Sequence, residues 1–266
     1  TMVCLALIFI GYKRYKYVPS AYALISSKGY RYYMEDRYCI DLKDGMRFYG
    51  VFDGHEGMWL VTKLSTSLSS WLFKGLGEIA GLGKARVLDK QLLEAVKAKI
   101  KEMYLSLARK EGRKHGGSTA TVVLGIKDYW FFVNLGDSRA IYVCDGKLAL
   151  ATEGYKFSGE KEEHILRSSY RSWGVPRALG FSISKSRHSD NQVTIDEAGV
   201  RRHRSGLLCA EPDVMCIKKS SKRGFIVVAS DGLWDGLSSQ QVADEVCRYA
   251  AEGPEQVCSR LFRKTE

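Results

Sequence analysis

The sequence contains little proline and no closely paired cysteines. Only four prolines occur against 26 glycines, which predicts many tight turns and argues against a proline-rich linker. The seven cysteines form no CxxC pair and are odd in number, so neither a zinc finger nor a disulfide framework is expected. Most of them lie in apolar stretches, which favours buried thiols in a reducing, cytoplasmic compartment.

A long apolar segment is also missing near the start of the chain. The apolar run from Met2 to Ile10 is about half the length that a membrane helix needs. We interpret it as a buried strand. The alternative is the end of a membrane anchor with a basic flank at Lys13, Arg14 and Lys16. The first residue is Thr1, as in an excised fragment that has lost upstream targeting information.

Basic residues outnumber acidic ones by 41 to 30, which gives a net charge of +11. Such a charge attracts phosphate as nucleic acid, anionic lipid or phosphorylated protein. The alternative reading is a solubilising surface. No basic run is interleaved with aromatic residues at a regular spacing, so nucleic-acid binding is not expected. The 266 residues, of which 45% are hydrophobic, suffice for one large domain or two small ones.

The hydrophobic pattern predicts an α+β fold, with antiparallel sheets packed together and helices outside. A turn is predicted over 231–236, a glycine-rich loop over 75–83 and an irregular functional loop over 172–204. Strands are predicted at 22–25, 38–42, 48–53, 119–126, 130–134, 140–144 and 224–230. Helices are predicted from the glycine-rich break at 54–57 to about 73, over 88–110, over 160–169, and over 240–252 with Ser238 or Ser239 as the N-cap.

Acidic residues stand near the ends of these predicted strands. Asp53 and Asp231 each end a strand and precede a glycine, and Asp137 lies in a Gly-Asp-Ser turn. A fourth acidic place is Glu35-Asp36. Carboxylates on such turns can converge on one sheet edge, and Mg²⁺ or Mn²⁺ prefers oxygen ligands of this kind. Each Asp-Gly pair alone simply makes a turn more often, but four such places together favour a metal site.

Seven short motifs follow one another between Tyr22 and Val246. They are Met-Glu-Asp-Arg at 34–37, Val-Phe-Asp-Gly-His at 51–55, Gly-Ser-Thr-Ala at 117–120, Leu-Gly-Asp-Ser-Arg at 135–139, Arg-Ala-Leu-Gly at 177–180, Glu-Pro-Asp-Val at 211–214 and Ala-Ser-Asp-Gly-Leu-Trp-Asp at 229–235. In this order they resemble the type 2C metal-dependent protein serine/threonine phosphatases. The resemblance implies one catalytic domain over 1–266, with a central antiparallel β-sandwich between two helical layers (α-β-β-α).

The resemblance also implies a centre with two Mg²⁺ or Mn²⁺ ions and a weaker third. By motif position, Asp53 resembles the carboxylate that bridges two ions. Gly54 resembles the carbonyl ligand and Glu35 a carboxylate ligand of one ion. Asp231 resembles a ligand of the other ion, and Asp137 with Asp231 resembles the ligand pair of the weaker third.

The implied activity is hydrolysis of phosphoserine and phosphothreonine in proteins by a metal-activated water that attacks the phosphoryl group directly. Arg31 matches the arginine that holds the substrate phosphate, and a guanidinium can grip two phosphate oxygens. His55 matches the proposed general acid, because a histidine can protonate the leaving alkoxide near neutral pH. Arg31, His55 and Asp53 are therefore the catalytic residues that the resemblance implies. The partners implied are phosphorylated protein substrates, and a monomer is expected.

The sequence departs from the family pattern after Asp231. No Gly-x-x-Asp-Asn-x-Thr segment follows, so we expect that the domain lacks its C-terminal strand and one metal ligand, through truncation or real loss. A partial echo of that segment, Asp190-Asn191, is interpreted as part of a polar loop. Three further departures are Glu56 for a glycine, Gly-Tyr-Lys-Phe at 154–157 for Asp-His-Lys-Pro, and Phe181 for an aspartate.

These departures keep two alternatives open. One is a catalytically impaired phosphatase-like scaffold that acts by binding proteins. The other, which rests only on the charge and the segment from Met2 to Lys16, is a basic protein of the membrane surface.

Overall fold

Two stacked β-sheets with helices on both outer faces make up the part of the chain that the structure describes. The computed structural model describes residues 3–13, 16–111, 116–155, 177–179, 193–195, 201–203 and 210–265. In chain order the strands are β1 (Val3–Lys13), β2 (Lys16–Ser27), β3 (Arg37–Lys43), β4 (Met46–Phe52), β5 (Gly54–His55), β6 (Gly117–Ser118), β7 (Ala120–Ile126), β8 (Tyr129–Leu135), β9 (Arg139–Cys144), β10 (Lys147–Ala151), β11 (Val193–Ile195), β12 (Arg201–His203), β13 (Asp213–Lys218) and β14 (Gly224–Ala229). The helices are α1 (Trp59–Gly77), α2 (Lys90–Glu111), α3 (Asp231–Trp234), α4 (Ser239–Tyr249) and α5 (Pro254–Arg263), with a 3₁₀ turn over Ala250–Glu252.

Each large sheet has five antiparallel strands. One has the order β10-β9-β14-β1-β2 and the other the order β13-β8-β7-β4-β3. The short pairs β5-β6 and β11-β12 lie outside them. Since neighbouring strands run antiparallel, β4 and β8, which flank β7, point in the same direction. Their C-terminal ends therefore lie at the same end of the sandwich.

The core follows from the two-residue period of the strands. In β8, Trp130 and Phe132 face the other sheet, and Phe131 and Val133 face the helical layer. The inner faces meet in a layer that also contains Tyr142 of the opposite sheet. The outer faces are covered by α1 and α2 on one side and by α3, α4 and α5 on the other. This arrangement confirms the α+β fold and the α-β-β-α layering.

The predicted strands and helices that fall on described residues are confirmed, with differences at their ends. The strand predicted from Met2 to Ile10 corresponds to β1, although its side chains lie outside the described ones. The last predicted helix ends at Tyr249 instead of 252 and is followed by the unpredicted α5, which begins at Pro254. Ser238 is its N-cap and forms a capping box with Gln241.

Three local predictions are wrong. The turn predicted over 231–236 contains α3, because Asp235 N donates to Asp231 O at 2.8 Å. The predicted loop over 75–83 begins later, because α1 continues to Gly77. The helix after Asp53 begins only at Trp59, because Gly54 and His55 form β5. The predicted helix over 160–169 lies outside the described residues, as does most of 172–204.

The helices of the described ranges include none that is both long and apolar enough to cross a membrane.

Candidate active site

The predicted acidic residues meet at one end of the sandwich because of the strand directions. Asp53 directly follows β4, Asp137 lies in the turn after β8, and Asp231 is the first residue of α3 after β14. Because β3 runs antiparallel to β4, the residues that precede it, Glu35 and Asp36, lie at the same end. The strands that lead directly into Asp53, Asp137 and Asp231, namely β4, β8 and β14, are mostly buried apolar segments, which fixes where these polar residues emerge.

Three of these carboxylates form a cluster. Oxygen atoms of Asp53, Asp137 and Asp231 all lie within 4.8 Å of one another. Asp36 is 2% exposed, and its Oδ2 accepts a hydrogen bond of 2.7 Å from Ser230 Oγ. So many carboxylates within a few ångströms repel one another in a poorly solvated place. The arrangement fits a divalent cation, for which such oxygens are the preferred ligands.

The electrostatics of the cluster support this interpretation. Burial raises the pKa of Asp53 well above its usual value, and the neighbouring charges of Asp36, Asp231 and Asp137 raise it further. Burial also raises the pKa of Asp36 to about 6, although the hydrogen bond from Ser230 opposes this shift. A bound cation would lower the pKa of both groups, since it stabilises their ionised forms.

The Gly-Ser-Thr-Ala motif connects the separate parts of the site. Thr119 N donates to Asp53 O at 2.9 Å, and Asp53 N donates to Thr119 Oγ1 at 3.0 Å. The same hydroxyl lies 2.9 Å from the hydroxyl of Ser138, beside Asp137. Ser118 exchanges two backbone hydrogen bonds with Leu179. One buried segment therefore holds the backbone of Asp53 and contacts the turn that carries Asp137.

Gly54 and Glu35 are packed together next to the cluster. A Cβ atom on Gly54 would lie 2.7 Å from Glu35 O and 2.9 Å from Val61 Cγ1, so only glycine fits there. Glu35 Oε1 accepts a hydrogen bond of 3.3 Å from Gly57 N. Between these glycines, Glu56 has a φ of 59°. This departure from the family pattern places a side chain in the left-handed region that favours glycine.

His55 is held against Gly117 by the pairing of β5 with β6. A Cβ atom on Gly117 would lie only 2.1 Å from His55 Nε2, so the imidazole occupies the space of the missing side chain. Burial lowers the pKa of His55 to about 4. The imidazole is therefore neutral at pH 7 unless added negative charge raises that pKa.

Arg31 is not brought into the cluster by any hydrogen bond or ion pair among the described residues. It lies in the loop between β2 and β3 with an exposed side chain, and its backbone N donates to Lys28 O at 3.0 Å. Of the other departures, Tyr155 N donates to Gly136 O at 3.0 Å, so part of the altered 154–157 segment supports the turn that carries Asp137. Phe181 and Asp190 lie outside the described residues.

Sequence reasoning named Asp36 only within the acidic pair Glu35-Asp36 and gave it no role of its own, and it gave no role to Thr119. Asp36 stands in the quoted Met-Glu-Asp-Arg motif, but its neighbour Glu35 was the predicted ligand. Its position directly before the partly buried strand β3 is the only local signal of its burial. Thr119 directly precedes the fully buried strand β7, and a hydroxyl at such a place needs a partner.

Comparison with protein families gives one extensive match. The family model described as Protein phosphatase 2C matches residues 21–265. The chain is 26% identical to human Protein phosphatase 1B over 242 residues, which are 86% of this chain and 49% of that protein. It is 27% identical to human Protein phosphatase 1A over 240 residues, which are 85% of this chain and 60% of that protein. The chain thus spans about half to three fifths of these relatives.

Solved structures have the same fold. A serine/threonine phosphatase of S. agalactiae has a TM-score of 0.52 at 15% identity, and the match covers 99% of this chain and 93% of that one. A sex-determining protein of C. elegans has a TM-score of 0.55 at 19% identity, and the match covers 90% of this chain and 60% of that one. At these identities the likeness concerns the fold alone.

Proposed function

This chain belongs to the protein phosphatase 2C family, and from that premise we propose that it hydrolyses phosphoserine and phosphothreonine in proteins with the help of divalent cations. The observation that carries the proposal is the acidic cluster, in which oxygens of Asp53, Asp137 and Asp231 lie within 4.8 Å of one another. Its position at the end of a sandwich, on turns from three strands, leaves the reaction centre rigidly supported.

Mg²⁺ or Mn²⁺ is the proposed cofactor, as two ions and a weaker third. In this proposal Asp53, Glu35 and the Gly54 carbonyl would hold one ion, and Asp53 and Asp231 would hold the other. Asp137 joins Asp231 at the third. When bound, the cations neutralise phosphoryl charge and acidify water. The repulsion that raises the pKa of Asp53 supports a cation at this place.

Arg31 and His55 would act on the substrate itself. The exposed guanidinium of Arg31, on the loop that leads into Glu35, can hold two phosphoryl oxygens. His55 would give a proton to the leaving serine or threonine oxygen. Because burial lowers its pKa to about 4, it needs the negative charge of the bound phosphoryl group to hold that proton near neutral pH. Proton donation is therefore tied to substrate binding.

Hydrolysis of a phosphothreonine peptide tests the proposal. We expect turnover by the chain with Mn²⁺ or Mg²⁺, loss of turnover with a chelator, and loss by at least about 100-fold in Asp53→Asn. The matched control is Asp145→Asn, which makes the same change at an exposed residue paired with Lys222 at the other end of the sandwich. The control should keep full activity.

Two results would contradict the proposal. The first is equal turnover by Asp53→Asn and the control, which would place the chemistry elsewhere. The second is no metal-stimulated turnover by a folded chain that binds divalent cations tightly. That second result would favour the scaffold that acts by binding proteins.

A further inference from the structure

Large apolar side chains are exposed on two short segments beside the acidic cluster. Among the described residues nine large hydrophobic side chains are exposed, and five of them belong to these two segments. Tyr30, Tyr32 and Tyr33 lie in the loop between β2 and β3, each at least 72% exposed, and Met58 and Trp59 stand at the start of α1. We call these five residues the aromatic rim. Apolar side chains concentrated in this way mark a contact surface, whereas singly scattered ones need no explanation.

The side chain of Arg37 joins the two segments of the rim. Its guanidinium donates to Met34 O at 2.6 Å and lies 3.5 Å from Met58 Sδ. The loop that carries the tyrosines therefore ends against the start of α1. Tyr33 directly precedes Met34, and Trp59 directly follows Met58. Since consecutive Cα atoms are about 3.8 Å apart, the two segments adjoin and present one surface.

Glu35 connects the rim to the acidic end of the sandwich. Its Oε1 accepts a hydrogen bond of 3.3 Å from Gly57 N, and Gly57 directly precedes the rim residue Met58. On the loop, Tyr33 stands two residues before Glu35, so their Cα atoms are at most about 7 Å apart. Arg31, the proposed phosphate ligand, stands between two of the rim's tyrosines. The rim therefore borders the place where the phosphoryl group would bind.

The indole of Trp59 is held in place while much of it stays accessible. Lys63 Nζ lies 4.6 Å from the centre of the ring, one helical turn along α1, and 2.7 Å from Oε1 of the buried Glu111. The ring nevertheless remains 46% exposed. A shallow groove of about 440 Å³ lies beside it, lined by Met58, Trp59, Thr62, Lys63 and Thr66. An ordered aromatic ring beside a groove offers apolar contact area at a low entropic cost.

We propose that the aromatic rim binds large apolar side chains that lie within about two residues of the phosphorylated residue of a protein substrate. The proposal rests on the proposed phosphatase function and adds the class of sequence that the site takes. A protein whose phosphoryl group reaches the acidic cluster has to place the neighbouring residues on the rim, because an extended chain covers about 7 Å in two residues. Apolar side chains there cover the exposed rings, whereas alanine leaves them in water.

Binding of two matched peptides tests the rim without requiring turnover. In both peptides a phosphonate that cannot be hydrolysed replaces the phosphate ester of phosphothreonine. One peptide carries leucine and phenylalanine at the two positions on each side, and the other carries alanine there, with equal length and charge. Dissociation constants are measured by fluorescence anisotropy with Mn²⁺ present. We expect the apolar-flanked peptide to bind at least about tenfold more tightly, as for the burial of one large apolar side chain.

Rim variants are compared by the ratio of the two dissociation constants, because general damage to the site cancels in this ratio. Trp59→Ala and Tyr32→Ala should each reduce the ratio by at least about threefold. Tyr22→Ala is the matched control, because it removes an exposed tyrosine ring five residues before β2 ends at Ser27, which is about 16 Å along the strand. The control should keep the wild-type ratio. The ratio should also persist in about 0.5 M sodium chloride, since salt screens charges and not apolar contacts.

Three outcomes would overturn the proposal. One is equal binding, or no binding, of the two peptides by the wild-type chain, which requires no variant to fold. Another is a ratio that Tyr22→Ala reduces as much as Trp59→Ala and Tyr32→Ala do. The last is a dimer in sedimentation velocity that Trp59→Ala dissociates, which would assign the rim to a second copy of the chain.

Turnover of the corresponding phosphothreonine peptides separates this proposal from the proposed function. Tighter binding of the apolar-flanked peptide without turnover of either peptide would support the rim and contradict the phosphatase activity. Turnover of both peptides with equal kcat/KM and equal binding would overturn the rim and support the activity.

Discussion

The contact between Gly117 and His55 gives a quantitative prediction about catalysis. In Gly117→Ala the added Cβ would lie 2.1 Å from His55 Nε2. Since such atoms keep about 3.5 Å apart, the imidazole must retreat by roughly 1.4 Å. Misplacement of a catalytic group by about 1 Å can cost about 100-fold in rate. We therefore expect kcat for a phosphothreonine peptide to fall about 100-fold, with Gly117 acting as a positioning residue.

Steady-state kinetics and urea denaturation separate this effect from loss of the fold. Overpacking of this kind lowers the free energy of unfolding by about 1–3 kcal/mol, so the variant should stay folded at 25 °C. The matched control is Gly77→Ala at the end of α1, where an added Cβ has no neighbour within 4 Å. That control should keep wild-type kcat.

A double-mutant cycle tests whether Gly117 acts through His55. If it does, removing the imidazole makes the extra methyl group harmless, so Gly117→Ala should lose no further activity in the His55→Ala background. Two independent losses that multiply would refute the reasoning. Full activity of Gly117→Ala would do so as well.

Three further predictions concern stability. Glu56→Gly should raise the free energy of unfolding by about 0.5–1 kcal/mol, because the φ of 59° suits glycine; a lower stability in urea denaturation would contradict this. Ser238→Ala should lower the free energy of unfolding by about 1 kcal/mol, because it removes the N-cap of α4, and it should leave activity unchanged. An unchanged denaturation midpoint would argue against this contribution of the cap. Burial and the charge of Arg47 lower the pKa of Lys219 to about 7, although the charge of Asp128 opposes this shift. Above pH 7 the unfolded chain therefore binds more protons than the folded chain. The free energy of unfolding of the wild-type chain should rise from pH 7 toward pH 10. Lys219→Met should thus be more stable than wild type near pH 6.5, with an advantage that shrinks by pH 10, and a constant difference across this range would be the contrary result.

The strands that support the site could be predicted because they are fully buried apolar segments. Such segments as β7, β8 and β14 end where polar residues begin, and Asp137 and Asp231 stand at those ends. The half-exposed strands β10 and β13 were missed, because intermediate burial leaves no clear period in the sequence. The helix α3 was missed because four residues are too few to show helical spacing.

The convergence of the acidic residues could not be derived from local pattern. It depends on β4 and β8 sharing one direction and on β14 ending at the same end of the facing sheet. The family resemblance supplied this information through motif order. It did not supply the contact between Gly117 and His55, which depends on the register of β5 with β6. Nor did it supply the contact of the Lys219 ammonium with the Trp130 ring of β8, which lies 4.4 Å away across the turn after β13.

Manganese binding measured by titration calorimetry tests most directly whether the acidic cluster is a metal centre. The account predicts that Asp53→Asn, Asp137→Asn and Asp231→Asn each weaken Mn²⁺ binding or lower its stoichiometry, because their oxygens share one place. The Asp145→Asn control, a change at an exposed ion pair with Lys222, should bind like the wild-type chain. Identical Mn²⁺ binding by the wild-type chain and all four variants would contradict the account.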